Sequence, residues 1–478
     1  MKMKWFRRIL AGVVSAVMCC LMLAGCGGNQ QGTEDQASQP GSEAPQSSRE
    51  EEGEILSITV SSRYQRTFEI AKKQFELEHP GVTVELDIYD MMGDSAELQA
   101  KCEEIGRNAM LGKGEDIVVA EETFMNYNDL FKICKAGAFE DLNTYFDADK
   151  NWSWDDYNTA VIDSYQYAGK QYMMPLYFDI PVLVSEKSAL ETAGFDLSSC
   201  KNGLEYLTQY AAYLKRAKQD ATLPKGSSIN AQFDFSTWEQ LQLEPFGIDS
   251  PDEVRWDENI EAYAKAFQAY FVEDGCAEWE FNTSDMANEG QQIMDGSILF
   301  ADMRYGDQVD KQLAVINEIL KYDGEPVLYP FTAMDGEGIS AKIRLAVGIS
   351  NTSAHKQLAY EFIKCLMGRD AQLAKTEGGG MSAAGGMPVY EPVLAQILEV
   401  NGIPLHVSVQ KEDGSWETGG VESYLEQYQA FSHQVTHGYS YAHGDTAYGY
   451  LRQYFKGKLS YEDAFAKADS MLKRYISE

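Results

Sequence analysis

The sequence predicts a mixed α/β protein with more than one domain, and three observations lead there. A β-rich run at Ile55–Val60 is followed by an amphipathic stretch and then an alternating strand, the order of a βαβ unit. Short apolar runs and helical stripes recur through the rest of the chain. Finally, 478 residues, 44% of them apolar or aromatic, suffice to enclose more than one hydrophobic core.

The chain opens with Lys2, Lys4, Arg7 and Arg8 before the uncharged run Ile9–Leu23. That run is too short to span a membrane as a stable helix and suits the core of a secretory signal. It ends in Leu23-Ala24-Gly25-Cys26, which resembles the lipobox of bacterial lipoproteins. The resemblance implies that residues 1–25 are a signal peptide removed by cleavage. Cys26 then carries the lipid and holds the protein on the outer, extracellular face of the cytoplasmic membrane. A single acyl chain binds only marginally, so a stable anchor needs the multiple chains of that modification, palmitate among them.

Residues 26–54 are the anchor and its tether. From Gly27 to Glu54 the chain is poor in apolar residues and rich in Gln, Ser, Gly, Pro and Glu, so it cannot bury enough surface to order itself. As a flexible coil it reaches on the order of 30 Å. At Ile55 the pattern changes abruptly. After the first strand, Phe68, Ala71 and Phe75 recur at helical spacing, and Pro80-Gly81 ends that helix. Val82, Val84 and Leu86 alternate with polar residues as a second, half-buried strand, so a parallel sheet covered by helices is expected. Asp116–Ala120 reads as a short buried strand, and Phe139–Leu142 follows a turn at Gly137. A helix is expected over Ala354–Leu366 with Gly368 as its C-cap. The last helix starts at the capping box Ser460–Asp463 and buries Ala464, Ala468, Leu472 and Tyr475.

Charge and cysteine usage narrow the function. The formal net charge is −34, which excludes nucleic acid as a partner because phosphate neutralisation needs clustered Lys and Arg. Cys102, Cys134, Cys200, Cys276 and Cys365 are scattered and form no CxxC pair, so buried free thiols are expected rather than a disulfide or zinc framework.

Several apparent motifs fail on chemistry. Asp147-Ala-Asp149 imitates the start of an EF-hand, but Trp152 stands where the sharp turn needs Gly and Asn158 where a bidentate Glu should be. Gly378–Gly385 has neither the Ser spacing of a nucleophile elbow nor the Gly-Lys-Ser/Thr of a phosphate loop. His433 and His437 would share a face only if both lay on one helix, and no Glu adjoins them as in a zincin. No metal and no cofactor are expected. The pairs Asp155-Asp156 and Glu121-Glu122 leave a secreted carbohydrate-active hydrolase as the alternative from another class.

The order of features along the chain resembles the extracellular solute-binding proteins of ABC transporters, in particular the large carbohydrate-type group. The segments that carry the likeness are Phe75–Val82, Gly114–Ile117, Gly137–Leu142, Gly169–Pro175, Asp295–Asp302, Ala359–Ile363 and Gly386–Val389. Val184–Lys187 departs from that pattern, and residues 404–420, with a turn signal at Asp413-Gly414, read as an insertion.

The resemblance implies a periplasmic-binding-protein-like fold of type II, with two lobes joined by a multi-strand hinge. Lobe 1 is placed at residues 55–178 plus 342–375 and lobe 2 at 179–341 plus 376–478, with crossings near 176–182, 338–344 and 370–382. A small solute, a mono- or oligosaccharide or else a cationic or peptide-like molecule, is expected in the cleft of a monomer that closes over it and docks on an ABC permease. No bond is made or broken, so no enzyme activity is expected, and the only membrane contact is the lipid anchor. Sugar clefts pair aromatic platforms with carboxylate and amide groups, and in α/β sheets they lie beyond the strand ends. The candidate ligand-binding residues at such places are Arg63, Tyr64, Glu121 and Glu122, with Tyr177 and Asp179 at the first crossing, and the resemblance implies Asp234, Phe235, Trp238, Asp302, Arg304, Tyr305, Tyr441 and His443 as further contacts.

Overall fold

Strand β1 (Glu54–Ser61) buries Leu56, Ile58 and Val60 on one face, and helix α1 (Gln65–Glu78) packs Phe68, Ala71 and Phe75 into the same core. The protein is seen as a computed structural model that describes residues 53–91, 93–227, 260–274, 289–301, 309–330, 338–374, 386–393, 408–410, 416–418, 422–439 and 445–477. Helix α1 stops at Pro80-Gly81, where Gly81 takes φ +98°, a conformation that disfavours any side chain. The chain returns as β2 (Val82–Tyr89), parallel to β1 in the register Glu54↔Val82 to Ser61↔Tyr89. Helix α2 (Ser95–Met110) is capped by the Asp94 carboxylate, which accepts from the Ala96 and Glu97 amides. Strand β3 (Ile117–Glu121) follows, parallel to β1, and runs straight into α3 (Glu122–Tyr127) and then α4 (Leu130–Lys135).

The chain continues through β4 (Met174–Asp179), β5 (Val182–Glu186), α5 (Lys187–Ala193), α6 (Gly203–Ala217) and α7 (Ile260–Asp274). Next come α8 (Val309–Lys321), β6 (Pro326–Pro330), β7 (Ile339–Ile349), α9 (Lys356–Met367), α10 (Arg369–Gln372) and β8 (Met387–Pro388). It closes with α11 (Glu422–Ser432), β9 (Val435–Tyr439), α12 (Asp445–Phe455) and α13 (Tyr461–Ser477). The main sheet has seven strands in the order β8-β4-β7-β3-β1-β2, with β9 parallel to β7. Only part of it is parallel as expected, because β7 runs antiparallel to both β3 and β4.

Two hydrophobic cores form. The first joins β1, α1, β3, β4, β7 and α9, with the Phe75 and Phe362 rings edge to face at 5.5 Å. The second collects Phe195, Tyr206, Tyr210 and Tyr213 with Phe267, Phe300, Leu451, Phe455, Ala464, Ala468 and Leu472. The two cores share strands: on β5, Val182 and Val184 belong to the first core and Leu183 to the second, and on β6, Leu328 packs on the first core while Val327 and Tyr329 pack on the second.

Some local expectations change. Gly368 ends α9 at φ −72° rather than in the left-handed region, because it also starts the extra turn α10 and must be extended there. His433 lies beyond the end of α11 and His437 within β9, so no helix face joins them. Ser408–Gln410 and Trp416–Thr418 pair antiparallel on either side of Asp413-Gly414. Cys102, Cys134, Cys200 and Cys365 are buried free thiols.

Candidate ligand-binding site

The carboxyl ends of β1, β3 and β4 meet the middle of β7, and charged side chains gather there. Register explains the meeting: Glu121 pairs with Leu345 and Phe178 with Ile343, so Arg344 falls beside the residues that follow both strands. The Arg344 Nε donates to Asp179 Oδ2 and its Nη1 to Glu122 Oε2. Lys342 Nζ lies 3.8 Å from Glu122 Oε1. Arg344 is 2% exposed and Asp179 is fully buried, whereas Glu122 retains 26% exposure and is the member that reaches solvent. Charges so far from water persist only when paired.

Glu121 is held separately. Ser61 Oγ donates to its Oε2 at 2.9 Å, and the Tyr89 hydroxyl donates to Oε1. Burial pushes the Glu121 carboxyl above the usual carboxylate range, although Tyr89, Ser61 and the charge of Arg63 pull the other way. Burial, with the Glu121 charge added, likewise raises the Tyr89 and Tyr64 hydroxyls far above the usual phenol value.

Arg63 and Tyr64 occupy the turn after β1. That turn is pinned: Ser62 N donates to Tyr89 O at 2.8 Å, Met91 N donates to Ser62 Oγ at 3.2 Å, and Tyr64 N donates to Ser61 O at 3.1 Å. Arg63 is half-buried at the edge, whereas Tyr64 is buried and donates to Arg344 O at 3.3 Å. Tyr177 is also buried, stacked on Tyr64 with 6.3 Å between ring centroids, and its hydroxyl donates to Ala371 O at 3.1 Å. The network continues towards α8. Tyr428, whose hydroxyl is raised by burial and then by the Asp179 charge, hydrogen-bonds Gln312, and Gln312 Nε2 donates to Ile180 O at 3.5 Å.

The structure thus brings Arg63, Tyr64, Glu121, Glu122, Tyr177 and Asp179 to one edge of the sheet. Tyr64 and Tyr177 spend their hydroxyls on backbone carbonyls beneath it. Asp234, Phe235, Trp238, Asp302, Arg304, Tyr305, Tyr441, His443 and Cys26 lie outside the described residues. Sequence reasoning missed Ser61, Tyr89, Lys342 and Arg344. A signal for the last two was available, since two cations at alternate positions of the apolar run Ile339–Ile349 imply buried partners. Chemically, the edge offers one half-exposed carboxylate held from behind by cations and one half-buried guanidinium. This is a hydrogen-bonding floor.

A polar cluster at the carboxyl ends of strands in an α/β sheet is the kind of place where such proteins bind small molecules. Residues 71–385 match the bacterial extracellular solute-binding protein family, and the chain belongs to that family. No curated protein matches the chain. Among solved structures, the sugar-binding protein MalE from Xanthomonas citri is 15% identical with a TM-score of 0.56, over 88% of this chain and 97% of that one. The GacH receptor of Streptomyces glaucescens, solved unliganded and with acarbose, is 14% identical at TM-score 0.51, over 89% and 99%. An ABC substrate-binding protein of Listeria monocytogenes, in complex with cycloalternan, is 15% identical at TM-score 0.50, over 89% and 99%. The fold is accordingly the two-lobed α/β fold of these solute-binding proteins.

Proposed function

We propose that this chain is a lipid-anchored receptor that captures a mono- or oligosaccharide in an interlobe cleft and hands it to an ABC importer permease. The observation that carries the reading is the half-exposed Glu122, fixed by Arg344 and Lys342 at the carboxyl edge of a solute-binding fold. A pre-oriented carboxylate accepts hydroxyl donors without a further ordering cost. The similar structures solved with cycloalternan and with acarbose support a saccharide as the guest. The boundaries of the lobes belong to the same proposal, with the hinge at crossings near residues 176–182, 338–344 and 370–382. Closure follows if the guest touches both lobes better than either alone.

Anchoring is proposed on Leu23-Ala24-Gly25-Cys26. Among the described residues no helix is long and apolar enough to cross a membrane. Mass spectrometry of the mature amino terminus should find acylated Cys26, and Cys26→Ala should release the protein from membranes; an unmodified Cys26 defeats the anchor. For the receptor itself, a thermal-shift screen of the full chain against neutral and acidic saccharides, polyamines and short peptides is decisive. A guest at 100 times its dissociation constant adds about 2.7 kcal/mol of stability. Stabilisation by polyamines alone, or release of new reducing ends from glycans, would overturn the saccharide-receptor reading.

A further inference from the structure

Arg63 is the cation that the carboxyl edge leaves over. Its guanidinium is half-buried, and among the described residues no hydrogen bond or ion pair engages it. The neighbouring acids are already committed. Glu121 receives Tyr89 and Ser61, Glu122 receives Arg344 and Lys342, and Asp179 receives Arg344. The turn that carries Arg63 is tied to the end of β2 and the residues after it through Ser62 and Met91, so the backbone that presents the charge is held in place. A guanidinium partly withdrawn from water without a partner costs free energy, and its planar fork matches a carboxylate with two parallel hydrogen bonds. In a chain with a net charge of −34, a cation at this edge that no hydrogen bond or ion pair engages among the described residues is chemically specific.

We propose that the guest is a carboxylate-bearing saccharide, a uronic acid or an oligomer of one, and that Arg63 reads its carboxylate while Glu122 accepts its hydroxyls. The inference rests on the saccharide-receptor reading and adds the charge of the guest. It is tested by calorimetry on the full chain with matched pairs: mono- to tetrasaccharides of galacturonate, glucuronate and mannuronate against their neutral galactose, glucose and mannose counterparts. The acidic member of at least one pair should bind about 10-fold or more tighter, and added salt should weaken it. Arg63→Gln should lower that affinity by about 10- to 100-fold and leave neutral sugars unaffected, with Arg63→Lys in between. Because among the described residues no hydrogen bond or ion pair engages Arg63, which acts on Glu121 and Tyr64 through its charge, these variants should shift the melting temperature only slightly. Equal or tighter binding of the neutral sugars, or an acidic preference that survives Arg63→Gln, overturns the inference and leaves the receptor reading standing. Failure of every saccharide, acidic and neutral alike, removes both.

Discussion

Arg344 of β7 meets Asp179 at the end of β4, two side chains 165 positions apart in sequence and both out of contact with water. One guanidinium therefore ties Asp179, at the step from β4 to β5, to Glu122, the carboxylate that faces solvent.

Removing Arg344 breaks the buried ion pair with Asp179 and takes one of two cations from Glu122. Arg344→Met should destabilise the protein by about 3–5 kcal/mol in urea denaturation, the usual cost of breaking a buried ion pair by removing one member. Asp179→Asn added to it should recover part of that loss, and a single variant within about 1 kcal/mol of wild type would show the cluster to be solvated instead.

Tyr177 and Glu122 should separate stability from binding. Tyr177→Phe deletes the hydrogen bond to Ala371 O and should cost about 0.5–1.5 kcal/mol of stability while affinity is retained. Glu122→Gln should lower affinity for the saccharide by about 10-fold. Calorimetry on both variants reads the contrast, and a Tyr177→Phe variant that loses affinity would move that ring into the ligand's path.

Acid stability should depend on Asp149. Hydrogen bonds from Lys364, the Asn151 amide and Tyr360 hold its carboxyl down at about 2. An unfolded Asp titrates near 3.9, so the unfolded state takes up this proton first. The stabilisation is present above about pH 4 and is lost as pH falls towards 2. Asp149→Asn should flatten that limb of a stability–pH curve; an unchanged limb would assign acid unfolding to other groups.

At α13, Ser460 Oγ accepts the Asp463 amide at 3.1 Å. Ser460→Ala should cost about 1 kcal/mol, read as a lower denaturation midpoint with an unchanged slope. A larger loss would point to an additional role at the junction with α12.

Much of the first core was legible because its signals are local. Phe68, Ala71 and Phe75 on α1, the Pro80-Gly81 stop, and the alternation in β2 follow from the 3.6- and 2-residue periods of helix and strand. The Ser460 cap was legible for the same reason. Gly368 was not, since a helix end and a new turn compete for one residue and packing decides between them. Among the site residues, Glu121 and Glu122 could be placed at a strand end from pattern alone, whereas Asp179 was placed through the family resemblance.

Their partners could not. By itself the sequence determined the βαβ opening, the acidic surface and the presence of carboxylates and a cation beyond the strands, since each depends on residues close in the chain. Only tertiary structure decided that β7 runs antiparallel between β3 and β4, which delivers Arg344 to Asp179 and Glu122. Strand register is a long-range choice, and a slip of one residue would turn Lys342 and Arg344 to the opposite face.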